Sequence, residues 1–445
     1  MSSQNRRSFL KTGTIAGAGL LIAGKSMGTV LRNSPSDKVV LAGIGIRSRG
    51  LQLAEEFAAM PNVTVKYVAD VDSRFLEPAI AAIAKKQGSK PIGVGDFRKV
   101  LEDKEVDGVF IATPDHWHAP MAIMAVQAGK HVYVEKPCSH NPHEGELLTE
   151  AFFKYGKLIQ MGNQRRSMNI PQTLVQEVRD GVIGDVYMGH AFYTNKRDPI
   201  GFGKETAVPE YLNWDLWQGP APRVAYRDNI HPYNWHWFWD WGTGEALNNG
   251  THELDMCRWV LGADYPTKVS SLGGRYHFKG VDDWQAPDTQ NIMIEFDGGK
   301  TVTWEGRSCN IYDQFKATRG CAFYGTKGSI IYKTSSYEVF DADAKLIRSV
   351  DNKNAPKPAN VLNTTDPGLG DGHCRNFIES IRGKEKLNSP VNEGQKSILL
   401  CQLGNISLRT GRTLNIDPKN GHILNDREAN KLWGRDYEKG WEPRV

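Results

Sequence analysis

The chain has 445 residues and a mass of 49.7 kDa, more than one hydrophobic core usually organises, so two domains are expected. Its 40% hydrophobic and 24% charged residues and its mean hydropathy of −0.48 are typical of a soluble globular protein, and no segment has the character of a stable membrane span. The net charge of +4 is spread along the chain, which disfavours nucleic acid as the main partner, and the six cysteines contain no C-x-x-C pair, which disfavours zinc, iron–sulfur and disulfide-rich classes.

Residues 1–33 have the features of an export signal. The run Asn5-Arg6-Arg7-Ser8-Phe9 precedes a mildly apolar stretch and resembles a twin-arginine signal, with Asn5 where Ser or Thr is commoner. A basic amphipathic helix is the alternative. A twin-arginine signal implies that the twin-arginine translocase exports the folded protein to the periplasm, often with a cofactor already inserted. No clean A-x-A site is present, so cleavage and retention as an anchor both stay open.

Residues 36–161 alternate between short apolar strands and helices. The predicted strands are 39–42, 63–69, 108–112, 131–134 and 158–161, and the predicted helices include 49–60, 74–88, 121–128 and 142–155. Apolar strands separated by helices of this length predict a parallel sheet that is covered on both faces. Its crossover connections are expected to be right-handed.

The first predicted strand leads into a glycine turn, Gly43-Ile44-Gly45-Ile46-Arg47-Ser48. Glycines at such a turn let the backbone N–H groups of the following helix approach a pyrophosphate, although a plain turn is the alternative. Ser48 stands at the third glycine position of G-x-G-x-x-G, so helix-to-strand packing there is expected to tolerate a hydroxyl. The turn predicts a dinucleotide site.

Asp70 lies at the end of the second predicted strand. Its distance along the chain from the glycine turn is that at which an acidic residue binds the adenosine ribose of a dinucleotide. Its carboxylate would repel a 2′-phosphate, which favours NAD over NADP. Arg74 lies close enough in sequence to soften that preference. The alternative role for Asp70 is the N-cap of the next helix.

Four further motifs follow in the order of a known family. They are Ala112-Thr113-Pro114-Asp115-His116-Trp117-His118, the run from Gly129 to Glu135-Lys136-Pro137, Gly162-Asn163-Gln164-Arg165-Arg166, and the run from Gly242 to Asp255. Together they closely resemble the Gfo/Idh/MocA family of sugar and cyclitol oxidoreductases over nearly the whole mature chain. The resemblance implies an α/β protein in which an N-terminal Rossmann dinucleotide-binding domain (36–161) precedes a C-terminal α+β domain (162–445) with an open, largely antiparallel sheet. In the family that open face commonly forms a homo-oligomer.

The resemblance also implies site residues. Lys136 corresponds to the family lysine that lies beside the nicotinamide and the substrate hydroxyl, where a desolvated amine with a lowered pKa can exchange a proton. A surface lysine is the alternative. The expected cofactor-binding residues are Gly43, Gly45, Ile46, Arg47, Ser48, Asp70, Thr113, Pro114, His118, Glu135, Asn163 and Gln164, and Arg165 is expected to contact substrate.

Asn248 is a departure from the family, which often has aspartate four residues before the histidine that corresponds to His252. Asparagine cannot titrate, so acid/base work at this pair falls on His252, and Asn248 is left to orient a hydroxyl or the imidazole. The alternative for His252 is a structural histidine that is buried in the core with its hydrogen bonds satisfied. The departure bears on the mechanism more than on the fold.

After residue 161 the pattern changes to a helix at 172–180, strands at 186–193, 268–272, 292–296, 301–304 and 322–325, and late helices at 370–381 and 393–408. A polar tail, 419–445, is expected on the surface. Aromatic residues recur at every second position from Tyr233 to Trp241, which would put them on one side of an extended segment. They could line a sugar pocket or form core, and Trp235 and His236 are the favoured pocket residues.

Five histidines, His116, His118, His236, His252 and His373, could suggest a metal, but none forms an H-x-x-x-H or H-E-x-x-H helical pair. No metal is therefore expected.

The leading functional hypothesis is a periplasmic NAD-dependent oxidoreductase that transfers hydride between a tightly bound nicotinamide and a ring hydroxyl, with C3 as a candidate, of a sugar or glycoside. A redox-neutral NAD-dependent glycoside hydrolase or lyase that acts through a transient keto-sugar is the alternative. A dinucleotide sensor without turnover is disfavoured by the presence of both Lys136 and His252. Export favours schemes that recycle the cofactor.

Overall fold

The first half of the chain forms a parallel sheet. Its strands are β1 (Val39–Ile44), β2 (Val63–Ala69), β3 (Ile92–Val94), β4 (Gly108–Ile111), β5 (His131–Glu135) and β6 (Ile159–Gly162). They lie in the order β3-β2-β1-β4-β5-β6, and every neighbouring pair is parallel. The order reverses direction between β1 and β4, which is where doubly wound sheets bind dinucleotides. The predicted Rossmann domain is confirmed.

The computed structural model describes residues 37–354 and 371–445, so the predicted signal at 1–33 lies outside the described residues. The helices of the first half are α1 (Arg49–Ala58), α2 (Leu76–Gln87), α3 (Arg98–Glu102), α4 (Asp115–Gln127) and α5 (Pro142–Tyr155). The sequence shows why α5 has these ends: the Asn141 side chain accepts a hydrogen bond from Glu144 N at its start, and Gly156, with φ of 62°, follows its last residue.

The second half forms a nine-stranded sheet in the order β14-β13-β12-β11-β7-β10-β9-β8-β15. These strands are β7 (Val186–Thr194), β8 (Pro266–Gly274), β9 (Thr289–Phe296), β10 (Lys300–Arg307), β11 (Arg319–Gly325), β12 (Gly328–Tyr332), β13 (Ser336–Asp341), β14 (Leu346–Asp351) and β15 (Leu414–Asn415). Apart from the parallel β7 and β10, neighbours are antiparallel. Buried and exposed residues alternate along β9, as expected when one sheet face is open. The predicted open, largely antiparallel sheet is confirmed.

Helices α6 (Asn169–Arg179), α7 (Trp214–Gln218), α8 (Thr251–Leu261), α9 (Asp371–Ile381), α10 (Val391–Thr410) and α11 (Arg427–Asn430) complete the second half. α9 returns to the first sheet, where Phe377 packs its ring edge-on against Phe57 and Tyr133. The described residues therefore group as one compact unit, and the domain boundary at 161/162 stays a prediction. Among the described residues, none of the helices combines the length and the apolar character needed to cross a membrane.

The aromatic segment from Tyr233 to Trp241 is not extended, so the expectation of a one-sided stripe is wrong. Asn234–Trp237 forms a 3₁₀ turn, in which alternate residues do not share a side. Trp235 stacks on His236 with ring centroids 3.6 Å apart, whereas Trp237 stacks on Trp284 at 3.9 Å. The rings thus divide between the cavity described below and the core.

Candidate active site

A cavity of about 310 Å³ opens at the carboxyl edge of the parallel sheet. Its walls come from the loops that follow four strands: the glycine turn after β1, Asp70 after β2, Thr113 after β4 and Lys136 after β5. Asp70 and Lys136 are three strand spacings apart, roughly 14 Å. Of the residues predicted from the sequence, the lining includes Gly45, Arg47, Ser48, Asp70, Thr113, Pro114, His118, Glu135, Lys136, Trp235, His236 and Asn248.

The glycine turn has no room for side chains at its close approaches. Gly45 has φ of 75°, and a Cβ there would lie 2.8 Å from the carbonyl oxygen of Ala112. A Cβ on Gly43 would lie 2.4 Å from the ring of Phe110. Backbone N–H groups can therefore face a phosphate here without obstruction, which fits a dinucleotide.

The third close approach is made by Gly50 and not at Ser48, which corrects the sequence interpretation. Ser48 is exposed, with φ of 49°, at the N-cap position of α1. A Cβ on Gly50 would lie 1.8 Å from the carbonyl oxygen of Gly45. The glycine needed for helix-to-turn packing is thus two residues later than the G-x-G-x-x-G pattern places it.

Asp70 ties the second strand to the glycine turn. One carboxylate oxygen accepts from Ile46 N and the other from Asp72 N, both at 3.0 Å. Burial raises the pKa of Asp70 to about 6, because it outweighs these two hydrogen bonds. The alternative role of helix cap is wrong for Asp70: the residue that caps the turn Ser73–Phe75 is Asp72, which accepts from Arg74 N. Ile46 buries its side chain and contributes its backbone.

The middle of the cavity offers an unpartnered polar atom. Thr113 lines the cavity, and its hydroxyl oxygen is buried without a hydrogen-bond partner. His118 places one ring nitrogen 2.7 Å from the Pro137 carbonyl and the other 2.8 Å from the Thr113 carbonyl. It therefore connects the loop after β4 to the loop that carries Lys136. An unpaired donor at this point fits a bound dinucleotide.

Lys136 projects its ammonium toward Asn248. Nζ donates to the Asn248 backbone oxygen at 2.5 Å and to its side-chain Oδ1 at 3.1 Å. Burial lowers the pKa of Lys136, against the opposing effect of Glu135 and Asp115. The combination of desolvation and a fixed acceptor suits a lysine that exchanges a proton.

Glu135 anchors the loop of Lys136. Its Oε1 accepts from Arg49 Nε at 2.8 Å and from Gln164 Nε2 at 3.1 Å, and its Oε2 accepts from Lys136 N at 3.2 Å. Gln164 is outside the cavity lining and reaches it through Glu135. Arg49 was not predicted from the sequence. Its place as the first residue of α1 gives no indication that it forms an ion pair with Glu135, 86 residues later.

His252 lies one helical turn after Asn248, beside the cavity lining. Its Nδ1 is 3.3 Å from Asn163 Oδ1, and no hydrogen bond to Nε2 is found within the described chain. Burial, with the positive charges of Arg165 and Lys136 nearby, holds the pKa of His252 well below its ordinary value. The ring is therefore neutral at physiological pH and can act as a hydrogen-bond donor or acceptor.

Arg165 lies apart from the cavity. It is 5% exposed, its Nη2 donates to Glu253 at 2.6 Å, and its guanidinium lies over the ring of Tyr332. The structure thus gives Arg165 a buried ion pair, and its substrate contact stays a prediction.

The far wall of the cavity comes from a segment of the second half, residues 211–236, here called the covering segment. It supplies Trp217, His231, Pro232, Tyr233, Trp235 and His236 to the lining. His236 Nδ1 is 2.6 Å from the Tyr233 carbonyl, and burial lowers the pKa of His236 to about 3. Trp235 and His236 were predicted from the sequence to line the pocket, and both do, whereas Trp217, His231 and Pro232 were not predicted.

The covering segment is fastened to the loop after β2, beside Asp70. Ser73 N donates to the Tyr211 carbonyl and Asn213 N to the Val71 carbonyl, both at 2.9 Å. His231 Nε2 and Asp72 Oδ2 are 2.8 Å apart, and both side chains are buried. Burial alone would raise the pKa of Asp72, but the hydrogen bonds from Arg74 and His231 leave it below its ordinary value.

Replacing His231 with Ala is expected to accelerate loss of bound NAD. The exchange removes one charge-assisted hydrogen bond between the covering segment and Asp72, roughly 1.5 kcal/mol, which corresponds to about tenfold in dissociation rate. The measurement is the NAD content during dialysis. His143→Ala, which removes a histidine near Glu146 on α5, is the control. Equal retention in both variants would mean that this contact does not hold the cavity closed.

Among the described residues, no three His, Cys, Asp or Glu side chains are grouped so that they could hold a metal ion.

Two family models match the chain. The model of the Gfo/Idh/MocA oxidoreductase family described as its NAD-binding Rossmann fold matches residues 14–163, and the model described as its C-terminal alpha/beta domain matches residues 200–443.

Curated relatives match part of their length. A glycosyl hydrolase family 109 protein of Saccharopolyspora erythraea is 31% identical over 255 residues, 50% of this chain and 55% of the relative. An alpha-N-acetylgalactosaminidase of Shewanella oneidensis is 28% identical over 218 residues, 44% of this chain and 47% of the relative. The chain thus spans about half the length of the curated relatives it matches.

Solved structures share the fold. A levoglucosan dehydrogenase in complex with NADH superimposes with a TM-score of 0.66 at 19% identity, over 85% of this chain and 99% of that one. The WlbA dehydrogenase of Bordetella pertussis, in complex with NADH and UDP-GlcNAcA, superimposes with a TM-score of 0.62 at 18% identity, over 85% and 99%. Because both family models match, and the second alone spans more than half of the chain, this protein belongs to the Gfo/Idh/MocA oxidoreductase family and takes NAD as its cofactor.

Proposed function

We propose that the protein is an NAD-dependent oxidoreductase that transfers hydride at a ring hydroxyl of a sugar or glycoside, with C3 as the favoured position. The observation that carries the proposal is Lys136, a desolvated lysine held by Asn248 at the end of a cavity whose other end is a dinucleotide turn. The names of the relatives support carbohydrate as the substrate class.

When bound, NAD supplies the hydride acceptor or donor, held by the glycine turn, Asp70 and Thr113. The uncharged amine of Lys136 would take the hydroxyl proton as a ring alcohol becomes a ketone, and its ammonium would return the proton in the reverse direction. Burial favours the uncharged amine, since it lowers the pKa of Lys136.

The sugar would lie against the stacked rings of Trp235 and His236, which present a flat surface suited to the C–H face of a pyranose. Two neutral histidines, His236 and His252, lie near Lys136. Because their rings are uncharged near neutral pH, they add no positive charge beside the lysine. Both can hydrogen-bond sugar hydroxyls without titrating near neutral pH.

We further propose that the twin-arginine translocase exports the chain to the periplasm, and that it functions there as a homo-oligomer. The twin-arginine pattern near Arg6 and Arg7 supports the first proposal, and the open sheet face, exposed at Met293 of β9, supports the second. An exported protein needs its NAD to stay bound, which the fastened covering segment favours.

A second candidate is a redox-neutral NAD-dependent glycoside hydrolase or lyase that acts through a transient keto-sugar. Relatives named glycosyl hydrolase family 109 protein and alpha-N-acetylgalactosaminidase favour it. Lys136 would have the same proton-transfer role in both candidates, so substitution of this lysine does not separate them.

The products formed from a glycoside, with the redox state of the bound nicotinamide, separate the candidates. The protein as isolated is first tested for NAD by mass spectrometry, and is then mixed with glycosides without an added electron acceptor. A dehydrogenase is expected to show lasting absorbance of reduced nicotinamide and an intact glycosidic bond. A hydrolase is expected to release aglycone over many turnovers and to incorporate solvent deuterium at the carbon next to the transient ketone, where the proton becomes acidic.

Acceptor-free aglycone release with deuterium uptake would overturn the dehydrogenase proposal in favour of the second candidate. Absence of both signals across a broad panel of glycosides, in protein shown to contain NAD, would contradict carbohydrate as the substrate class.

A further inference from the structure

Glu245 is a buried carboxylate, 2% exposed, directly before the π-helical turn Ala246–Gly250 that carries Asn248. Its Oε2 accepts hydrogen bonds from Arg197 Nε at 2.8 Å and from Ser308 Oγ at 3.1 Å. Its Oε1 accepts from the side-chain amides of Asn249 and Asn248, the latter at 3.4 Å. All four partners are donors, so the carboxylate is surrounded by groups that stabilise its charge.

The contact with Glu245 determines which way the Asn248 amide faces. An asparagine side chain has one donor end, Nδ2, and one acceptor end, Oδ1. Because Nδ2 donates to Glu245, Oδ1 is left toward Lys136, 3.1 Å from Nζ. The reversed amide would set an NH₂ group against the ammonium and a carbonyl against the carboxylate, and both contacts would be repulsive.

Charge at this end of the cavity is unevenly distributed. Glu135, Asp115 and Glu245 favour the charged form of Lys136, and Arg319 opposes it. The two histidines that face Lys136, His236 and His252, have pKa values below their ordinary range and add no charge near neutral pH. Of the three carboxylates, Glu245 is the one that reaches the ammonium through Asn248, on the side where the lysine makes its hydrogen bonds.

We propose that Glu245 is a positioning residue for Lys136: it holds the Asn248 amide with Oδ1 toward the lysine and supplies, through that amide, the negative charge that an aspartate at 248 would supply directly. Arg197 and Ser308 keep the carboxylate in place. The proposal rests on the proposed function, in which Lys136 exchanges the substrate proton.

The test compares Glu245→Gln with the unmodified protein. In the variant, Arg197 and the asparagine amides compete for a single amide oxygen, and the negative charge is gone. The pKa of Lys136 is expected to fall, because Glu245 is one of the carboxylates that favour the charged form of the lysine. It is measured by competitive labelling with trace acetic anhydride and mass spectrometry of the peptide that contains Lys136, so this readout needs no turnover.

Two further variants sharpen the comparison. Asn248→Asp, added to Glu245→Gln, returns a carboxylate to the ammonium and is expected to raise the pKa of Lys136 again. Glu338→Gln is the control: it neutralises a carboxylate of β13 that pairs with Lys333, and is expected to leave the labelling profile of Lys136 unchanged. The pH profile of kcat should move with the labelling profile in each variant, at nearly constant KM.

A folded Glu245→Gln protein in which neither profile moves would overturn the proposal. If that variant does not fold, Glu245→Asp keeps the charge and the pairing with Arg197 but shortens the reach to Asn248; a fall in kcat of several-fold upholds the proposal, and an unchanged kcat overturns it. Because labelling is independent of substrate, a shifted Lys136 pKa without sugar turnover would count against the proposed function and in favour of the role of Glu245.

Discussion

Lys136→Met is expected to lower kcat by about 10²- to 10⁴-fold, the range for loss of a positioned acid/base group, while NAD stays bound. The methionine keeps the apolar stem but has no amine for proton transfer, and Lys136 makes no bond to the glycine turn that would be lost with it. The measurement is single-turnover reduction of bound NAD by a reactive sugar, alongside the NAD content of the purified variant.

The pH dependence follows from the same residue. Oxidation of the alcohol needs the uncharged amine, so its rate is expected to rise with pH and to level off above the pKa of Lys136, which burial lowers from its ordinary value. Reduction needs the ammonium, so its rate falls over the same range. Activity of Lys136→Met within tenfold of the unmodified protein would move the proton-transfer role to His252.

Gly50→Ala is expected to destabilise the first half of the chain and to reduce its NAD content, although alanine is the better helix former by about 1 kcal/mol. The new Cβ would lie 1.8 Å from the carbonyl oxygen of Gly45, a backbone atom that can move only with the turn itself. Overpacking of this kind costs about 1–3 kcal/mol, which lowers Tm by several degrees.

Gly372→Ala is the matched control, because Gly372 is also the second residue of a helix, α9. A Cβ there would be 3.4 Å from the nearest atom, the Ser167 carbonyl oxygen, which is an ordinary contact. Calorimetry should show a lower Tm for Gly50→Ala alone. If the two variants have the same Tm, the turn relieves the close approach at Gly50 at little cost, and helix propensity determines the effect of Gly50→Ala on stability.

The strands of the parallel sheet could be predicted because each is a continuous apolar run next to a turn residue. β3 and α3 were not predicted: β3 is three residues long and largely exposed, so it has no hydrophobic pattern. The aromatic spacing from Tyr233 to Trp241 predicted an extended segment, which was wrong. Alternation alone does not distinguish an extended segment from one that contains a 3₁₀ turn. Local patterns thus identify elements whose burial is regular.

The cavity was predictable where one motif carries the chemistry. The glycine turn, Asp70 and Lys136 each follow a strand end, so sheet order brings them to one edge. Gly50 and Glu245 were missed although both lie within or beside quoted motifs, because their roles come from contacts: one with its own turn, the other with a neighbouring amide and Arg197. Such roles depend on three-dimensional distances that spacing along the chain does not encode.

The fastening of residues 211–236 beside Asp70 bears on how a catalytic cycle could be organised. If the dinucleotide stays enclosed, it behaves as a prosthetic group, and the molecule that gives up hydride and the one that receives it must occupy the same end of the cavity in turn. Initial-rate data would then give parallel double-reciprocal lines, the signature of a ping-pong cycle. The second reactant would also have to fit within the cavity that Tyr233 and His236 line, which favours another sugar or a small carbonyl compound over a protein electron carrier.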